Sequence, residues 1–115
     1  MERQLTSAEK GLIQALIERA QGIEIPSDWL EQVRVTPMND GGMGSLRFLP
    51  ASLGQMFGEG IAEVLFDDAD GVAVSATLNL DQTGSPFELD IWKVDFGPLI
   101  RIPDRFWPTS RNVTG

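Results

Sequence analysis

Apolar residues fall at helical spacing near the start of the chain and at alternate positions through much of the remainder. Leu12, Ile13, Leu16, Ile17 and Ala20 share one face of a helix. Thr6-Ser7-Ala8-Glu9 ahead of them has the form of a capping box: the threonine hydroxyl takes the Glu9 amide and the Glu9 carboxylate reaches back to the Thr6 amide. Gly22 is placed to end this helix in the left-handed conformation. The pattern predicts a helix over residues 7–20.

Beyond it the period changes. Pro26 to Leu30 reads as a capped short turn of helix, and Val33 to Thr36 alternates as a half-buried strand does. Asn39-Asp40-Gly41-Gly42 is a turn of residues that tolerate positive φ, and Leu46 to Leu49 is the returning strand of a hairpin. Pro50 to Gly60, broken by Gly54, Gly58 and Gly60, is expected to be a loop. Three further strands follow: Ile61–Phe66, a long one over residues 72–80, and Phe87–Val94, with turns at Asp67–Gly71 and Asp81–Ser85. In the long strand Val72, Val74, Ala76, Leu78 and Leu80 alternate with Ala73, Ser75, Thr77 and Asn79, one buried face against one small, polar face. In the last strand Phe87, Leu89 and Ile91 face one way and Glu88, Asp90 and Trp92 the other, with Lys93 on the apolar side. Gly97-Pro98, Pro103 and Pro108 are expected to keep the tail irregular. Sequential strands joined by short turns lie side by side. The predicted fold is therefore α+β, a single domain over residues 1–115. An N-terminal helix packs on an antiparallel sheet of about five strands, a hairpin followed by a three-stranded meander.

A chain of 115 residues buries about two thirds of its unfolded surface, enough for one unstapled core. It has neither cysteine nor histidine, which removes disulfides, thiolate metal sites and the commonest general base together. Serines are present with no histidine to activate them, so a nucleophilic hydrolase is disfavoured. No apolar run is long enough to span a bilayer, and Met1-Glu2-Arg3-Gln4 does not begin a signal peptide. A cytoplasmic protein with no membrane partner is expected. The net charge of −8 is concentrated: residues 59–95 hold nine acids against Lys93 alone, whereas residues 96–115 hold Asp104 against Arg101, Arg105 and Arg111. So acidic a middle segment repels a phosphate backbone, which argues against nucleic acid and favours a basic protein partner. Solubility alone also accounts for such charge.

Candidate chemistry is sparse. Asp67-Asp68-Ala69-Asp70-Gly71 resembles a calcium loop in composition, but Phe66 and Thr77 stand where the terminal carboxylates belong, so a hairpin turn is the plainer reading. Asn39 to Gly44 lacks the spacing of a phosphate loop, though its glycines suit a close contact surface. Glu88 and Asp90 lie about 7 Å apart on one strand face. They could serve as an acid–base pair or simply as solvated surface acids, and Trp92 beside them suits a partner-binding patch, a ligand floor or a core position. Asn112-Val113-Thr114 fits a glycosylation pattern without a secretion signal to make it meaningful. Arg101, Arg105 and Arg111, interleaved with Phe106 and Trp107, are expected to pair with acids or tack the tail to the domain. No catalytic or metal-ligating residue is nominated, and no cofactor is implied.

The stretch Asp68 to Ile100, DADGVAVSATLNLDQTGSPFELDIWKVDFGPLI, together with NDGGMGSL from Asn39 to Leu46, resembles a family of small bacterial proteins grouped only as a domain of unknown function. The resemblance brings no activity and no catalytic residues, and it points to the Asn39–Leu46 loop and the Glu88–Phe96 strand. Three readings follow. The first is a non-enzymatic protein-binding module, of the immunity-protein kind, that contacts a basic partner through Glu88, Asp90, Trp92 and Asp95 with Asn39 and Asp40. The second is a small-ligand binder or enzyme with a pocket between helix and sheet, by analogy with cystatin-like folds. The third is a homodimer through strand edges or sheet faces, as against a monomer.

Overall fold

The helix forms where its cap and stripe place it. In the computed structural model, which describes residues 2–20, 22–23, 25–26 and 28–108, α1 spans Ser7–Arg19. Thr6 Oγ1 accepts from the Glu9 amide at 3.1 Å and Glu9 Oε1 accepts from the Thr6 amide at 2.9 Å. Arg3 clasps the same carboxylate with two 2.8 Å hydrogen bonds. Burial pushes the Glu9 carboxyl up, but Arg3 and the Thr6 amide outweigh it and hold the group below its ordinary value. Arg3 belongs to a two-residue strand, β1 (Arg3–Gln4), so the helix cap and the sheet edge share one ion pair. The helix stops at Arg19, with Ala20 extended as its C-cap; Gly22 does take positive φ, +77°, but beyond the cap rather than as the terminator. The expected turn near Pro26 is α2 (Trp29–Gln32). Its Asp28 accepts from Gln32 Nε2 at 3.0 Å instead of capping the helix. Ser27 of that motif lies outside the described residues, as do Arg111 and Asn112–Thr114.

The remaining strands are β2 (Arg34–Pro37), β3 (Leu46–Leu49), β4 (Phe57–Asp67), β5 (Ala73–Asp81), β6 (Pro86–Lys93) and β7 (Trp107–Pro108). All neighbours are antiparallel in the order β1-β2-β3-β6-β5-β4-β7. The expected hairpin and meander are therefore present, joined where β3 pairs with β6 through Leu46 and Leu89. Among the described residues the sheet has seven strands rather than about five, because the two-residue strands β1 and β7 lie at its ends. β7 also shows that the tail, for all its prolines, returns to the sheet beside Val64 and Leu65.

β4 corrects a second expectation. Phe57 to Gly60 is strand, not loop, pairing with β5 from Phe57 and Asp81 onward. Register shifts around Gly58 and Ile61 erase the two-residue period that would have disclosed it. Gly58 is there for space: a Cβ would lie 2.3 Å from the Asp81 carbonyl oxygen. A smaller bulge displaces Phe87, since Asn79 pairs with Glu88 while Leu80 pairs with Pro86. Its ring carries the Arg47 guanidinium at 4.5 Å.

Leu12, Ile13 and Leu16 of α1 are wholly buried, as are Val64, Phe66, Val74, Ala76 and Leu78 on the sheet's inner face. Leu99, Ile102 and Phe106 of the tail pack against the same core, with Phe106 edge-on to Phe66 at 5.8 Å. The space between helix and sheet, where the second reading looks for a pocket, is filled by these side chains. Clefts open elsewhere, beside Leu49–Pro50 and between α1 and residues 101–106. No helix among the described residues is long and apolar enough to cross a membrane.

Two glycine replacements should move stability in opposite directions. Gly11 sits in the exposed middle of α1 with open space where a Cβ would go, so Gly11→Ala is expected to stabilise by about 0.5–1 kcal/mol. Gly58→Ala forces the β4–β5 backbones apart and is expected to cost about 1–3 kcal/mol. Urea midpoints of both variants check the pair; equal shifts would contradict the packing described here.

Candidate functional site

Alternation along β6 divides its side chains between core and water. Leu89 and Ile91 turn inward, whereas Glu88, Asp90 and Trp92 lie on the outer face, opposite Asn79, Thr77 and Ser75 of β5. Those partners are small, so the indole of Trp92 stands above the sheet, 44% exposed. The six residues nominated from sequence separate on this frame. Glu88 is half-buried and held by Arg47, whose Nε donates to it at 3.0 Å. Asp90 is exposed, with only the Ser45 hydroxyl near it at 3.4 Å. Asp95 is exposed and accepts from the Gly97 amide within its own turn at 2.8 Å. Asn39 is exposed. Asp40 turns inward, accepting from the Met43 and Ser45 amides at 3.1 and 2.9 Å, so it shapes its loop.

The Asn39–Ser45 loop and the end of β6 form one unit. Ser45 Oγ accepts from the Ile91 amide at 2.8 Å, and Leu99 N donates to Gly42 O at 2.9 Å. A Cβ on Gly44 would meet the Leu99 side chain at 2.9 Å, and its φ of +100° excludes other residues independently.

Beneath this unit lies Lys93, which faces the core as alternation requires, with 2% of its side chain exposed. A buried ammonium needs partners. Lys93 Nζ donates to Asp68 Oδ2 and Asp70 Oδ2, each at 2.8 Å, and to the Pro98 carbonyl at 3.0 Å. Asp68, fully buried itself, also accepts from the Ala69, Ile100 and Arg101 amides at 2.7–2.9 Å. Three stretches of chain thus converge on one ion pair: the β4–β5 turn, the end of β6, and residues 98–101. Two of the carboxylates that suggested a calcium loop, Asp68 and Asp70, face this ammonium. Burial pushes the Asp68 carboxyl up, but the Lys93 hydrogen bond and the three amides more than offset it and bring the group to about 2. Hydrogen bonds to Asp68 and then Asp70 push Lys93 up. Sequence reasoning put Lys93 on the buried face without drawing the consequence. The usable signal was a lone lysine on an apolar strand face with acids one turn away.

After Lys93 the chain turns sharply, the Phe96 amide donating to Lys93 O at 2.8 Å. Phe96 takes φ +62°, the left-handed conformation that side-chain-bearing residues avoid. The turn thrusts its ring into water, 68% exposed, edge-on to Trp92 with centroids 6.0 Å apart. Nothing in residue type foretold this, because such positions are normally glycine or asparagine. The result is an exposed, edge-on aromatic pair with Asp90 and Asp95 next to it in the chain.

The chain belongs to the family described as a domain of unknown function, DUF6984, whose model matches residues 2–103. The matched span runs from β1 through the Lys93 ion pair and the Trp92–Phe96 corner to just past the amides that Asp68 holds. No curated protein and no solved structure gives a significant match.

Two predictions follow from the ion pair and the corner. Asp68 has an ordinary value of 3.8 and is lowered to about 2. The unfolded chain therefore binds this proton first as pH falls. The associated stability is present above pH 3.8 and lost as pH drops through about 2. Asp68→Asn should remove part of the acid slope of the urea midpoint in that window, and Asp68→Ala, which leaves the ammonium only Asp70 and the Pro98 carbonyl and strips the Ile100 and Arg101 amides of their acceptor, should cost about 3–5 kcal/mol. A wild-type acid slope in either variant would refute the assignment. At Phe96, replacement by glycine relieves about 1–2 kcal/mol of backbone strain and forfeits about 0.5–1.5 kcal/mol of ring contact. Phe96→Gly should accordingly leave the melting temperature nearly unchanged, whereas a large drop would mean the ring carries structure.

Proposed function

We propose that the protein is a non-enzymatic binding module that holds a basic protein partner, in the manner of an immunity-type protein, with Trp92 and Phe96 as its apolar anchor. The observation that carries this reading is the exposed, edge-on Trp92–Phe96 pair, with Phe96 in a left-handed conformation and its amide bonded to Lys93 O. Exposed aromatic side chains on a rigid support are the usual source of binding energy at protein interfaces. Rigidity lowers the entropy lost on docking.

Electrostatics supports the sign of the partner. Lys93, the one base of residues 59–95, is consumed inside by Asp68 and Asp70. Glu59, Glu63, Asp67, Asp90 and Asp95 of that segment are all exposed. The surface drawn from this part of the chain therefore carries acids without counter-charge, suited to steering a cationic protein. Asp90 and Asp95 stand as the charged rim of the anchor, and Asn39 as a neutral contact. Glu88 and Asp40 act indirectly, by orienting Arg47 and the Asn39–Ser45 loop.

The test is titration calorimetry against the basic proteins encoded beside this chain's gene. With a binding partner in hand, Trp92→Ala and Phe96→Gly are each expected to weaken affinity about 30-fold or more. The double variant Asp90→Asn, Asp95→Asn should chiefly slow association and flatten its salt dependence. Binding indifferent to both aromatic variants would refute the corner as the anchor.

A further inference from the structure

Along β5 the outer face of the sheet is low. Ser75 and Thr77, on the polar side of its alternation, stand between larger side chains of both neighbouring strands, and the register fixes which ones. Ser75 lies between Trp92 of β6 and Leu65 of β4, and Thr77 lies between Asp90 of β6 and Glu63 of β4. Residues directly opposite one another share a face of the sheet. The outer face therefore carries two neighbouring rows across three strands, one with a tryptophan and, two residues along, one with an acid at either side.

Both acids are exposed, and neither has an ion pair among the described residues. The side chain of Glu63 accepts only from Thr77 Oγ1, at 3.4 Å, and that of Asp90 only from Ser45 Oγ, at the same distance. Arg47, one row further along this face, is engaged by Glu88. Neighbouring strands lie about 4.8 Å apart, which places Asp90 and Glu63 about 10 Å apart across β5, with Trp92 about 7 Å from Asp90 along β6. Two carboxylates without counter-charge thus flank a floor of small hydroxyl side chains, beside an indole that is 44% exposed.

We infer that this face seats an arginine side chain of the basic partner, its guanidinium between Asp90 and Glu63 above Thr77 and the Trp92 indole as the wall it stacks on. The inference rests on the partner-binding reading above and names the group which that site recognises. Charge complementarity selects a cation, and geometry selects which one. Acids about 10 Å apart cannot share one metal ion, and no group of three metal-ligating side chains occurs among the described residues. An apolar side chain here would strip water from two carboxylates and give nothing in return. A lysine brings a compact point charge, whereas the planar guanidinium has donors on both sides and a face that stacks on an aromatic ring.

Titration of the full chain at low salt with the peptide acetyl-Gly-Arg-Gly-amide, read by amide and indole NMR shifts, tests the seat. Shifts are expected at Ser75, Thr77, Asp90 and the Trp92 indole N–H, saturating in the millimolar range of a single side-chain contact. The citrulline peptide, alike in shape but uncharged, should bind about tenfold more weakly. Glu63→Gln and Trp92→Leu, both at exposed positions, should keep melting temperatures near that of the wild type and each weaken the arginine peptide about threefold or more. Equal binding of the citrulline peptide, shifts spread evenly over the acidic surface, or arginine binding that survives both variants overturns the seat. So does the absence of any shift up to about 50 mM. The partner-binding reading outlives those results if Trp92→Ala still weakens a protein partner in calorimetry. An arginine-selective seat alongside partner binding indifferent to Trp92→Ala would keep the seat and sink that reading instead.

Discussion

The structure turns on the burial of one ammonium group. Lys93 sits on the core face of β6 with almost no water, where an unpaired charge is not tolerated. Its partners come from the β4–β5 turn and from the chain after β6, and Asp68 extends the grip to the Ile100 and Arg101 amides. A buried pair of this kind gains little net stability over apolar packing, but it is demanding about geometry. Beyond it the chain leaving β6 lays Leu99, Ile102 and Phe106 on the core and brings Trp107 beside Leu65. The turn at Phe96 lies between Lys93 and the residues Asp68 holds. Core anchorage, tail placement and the exposed aromatic corner thus meet around one ion pair.

Where residue pattern and burial coincide, the fold was legible. The capping box at Thr6, the stripe on α1 and the alternation of β5 each follow from local rules that the tertiary structure does not override. Legibility failed where the ladder is irregular. Gly58 and the bulge at Ile61 break the period of β4, so its first four residues read as loop. β1 and β7 are two residues each, too short to carry any period, and are held by tertiary contacts: Arg3 on Glu9 at one end and the tail's apolar residues at the other. The candidate site divides in the same manner. The outward facing of Asp90 and Trp92 was readable from alternation. The exposure of Phe96 was not, because it depends on a left-handed backbone conformation that residue type does not announce.

Counting acids in the segment 59–95 treats them as equivalent, and the structure distinguishes them. Asp68 and Asp70 neutralise Lys93, Glu88 holds Arg47, and Asp81 organises the β5–β6 turn through Thr83, Ser85 and Gln55. Hydrogen bonds from Thr83 and Gln55 hold Asp81 well below the usual carboxylate range, so it stays ionised as a structural acceptor. Four of the nine acids are thus tied to partners within the fold, Asp70 while still exposed, and Lys93 is withdrawn from the surface. The remaining five face solvent. The solvent-facing surface of this segment is therefore more uniformly negative than the sequence total implies, because the compensating base has been buried.

Phe96 makes the division between stability and use most plain. Its left-handed backbone costs about 1–2 kcal/mol that a glycine would not incur, and Gly97 follows immediately, so the turn had a glycine to hand one residue later. The ring recovers some of that cost against Trp92, but most of its surface remains in water. A folded chain gains nothing from a strained conformation that exposes an aromatic ring, and strain of this kind persists only where neighbouring structure over-determines it. Here the neighbours are the Lys93–Phe96 turn, the Asp95–Gly97 hydrogen bond and the Asp68 grip on residues 100 and 101. The same contacts that fix the tail thus bracket the turn that holds the Phe96 ring beside Trp92.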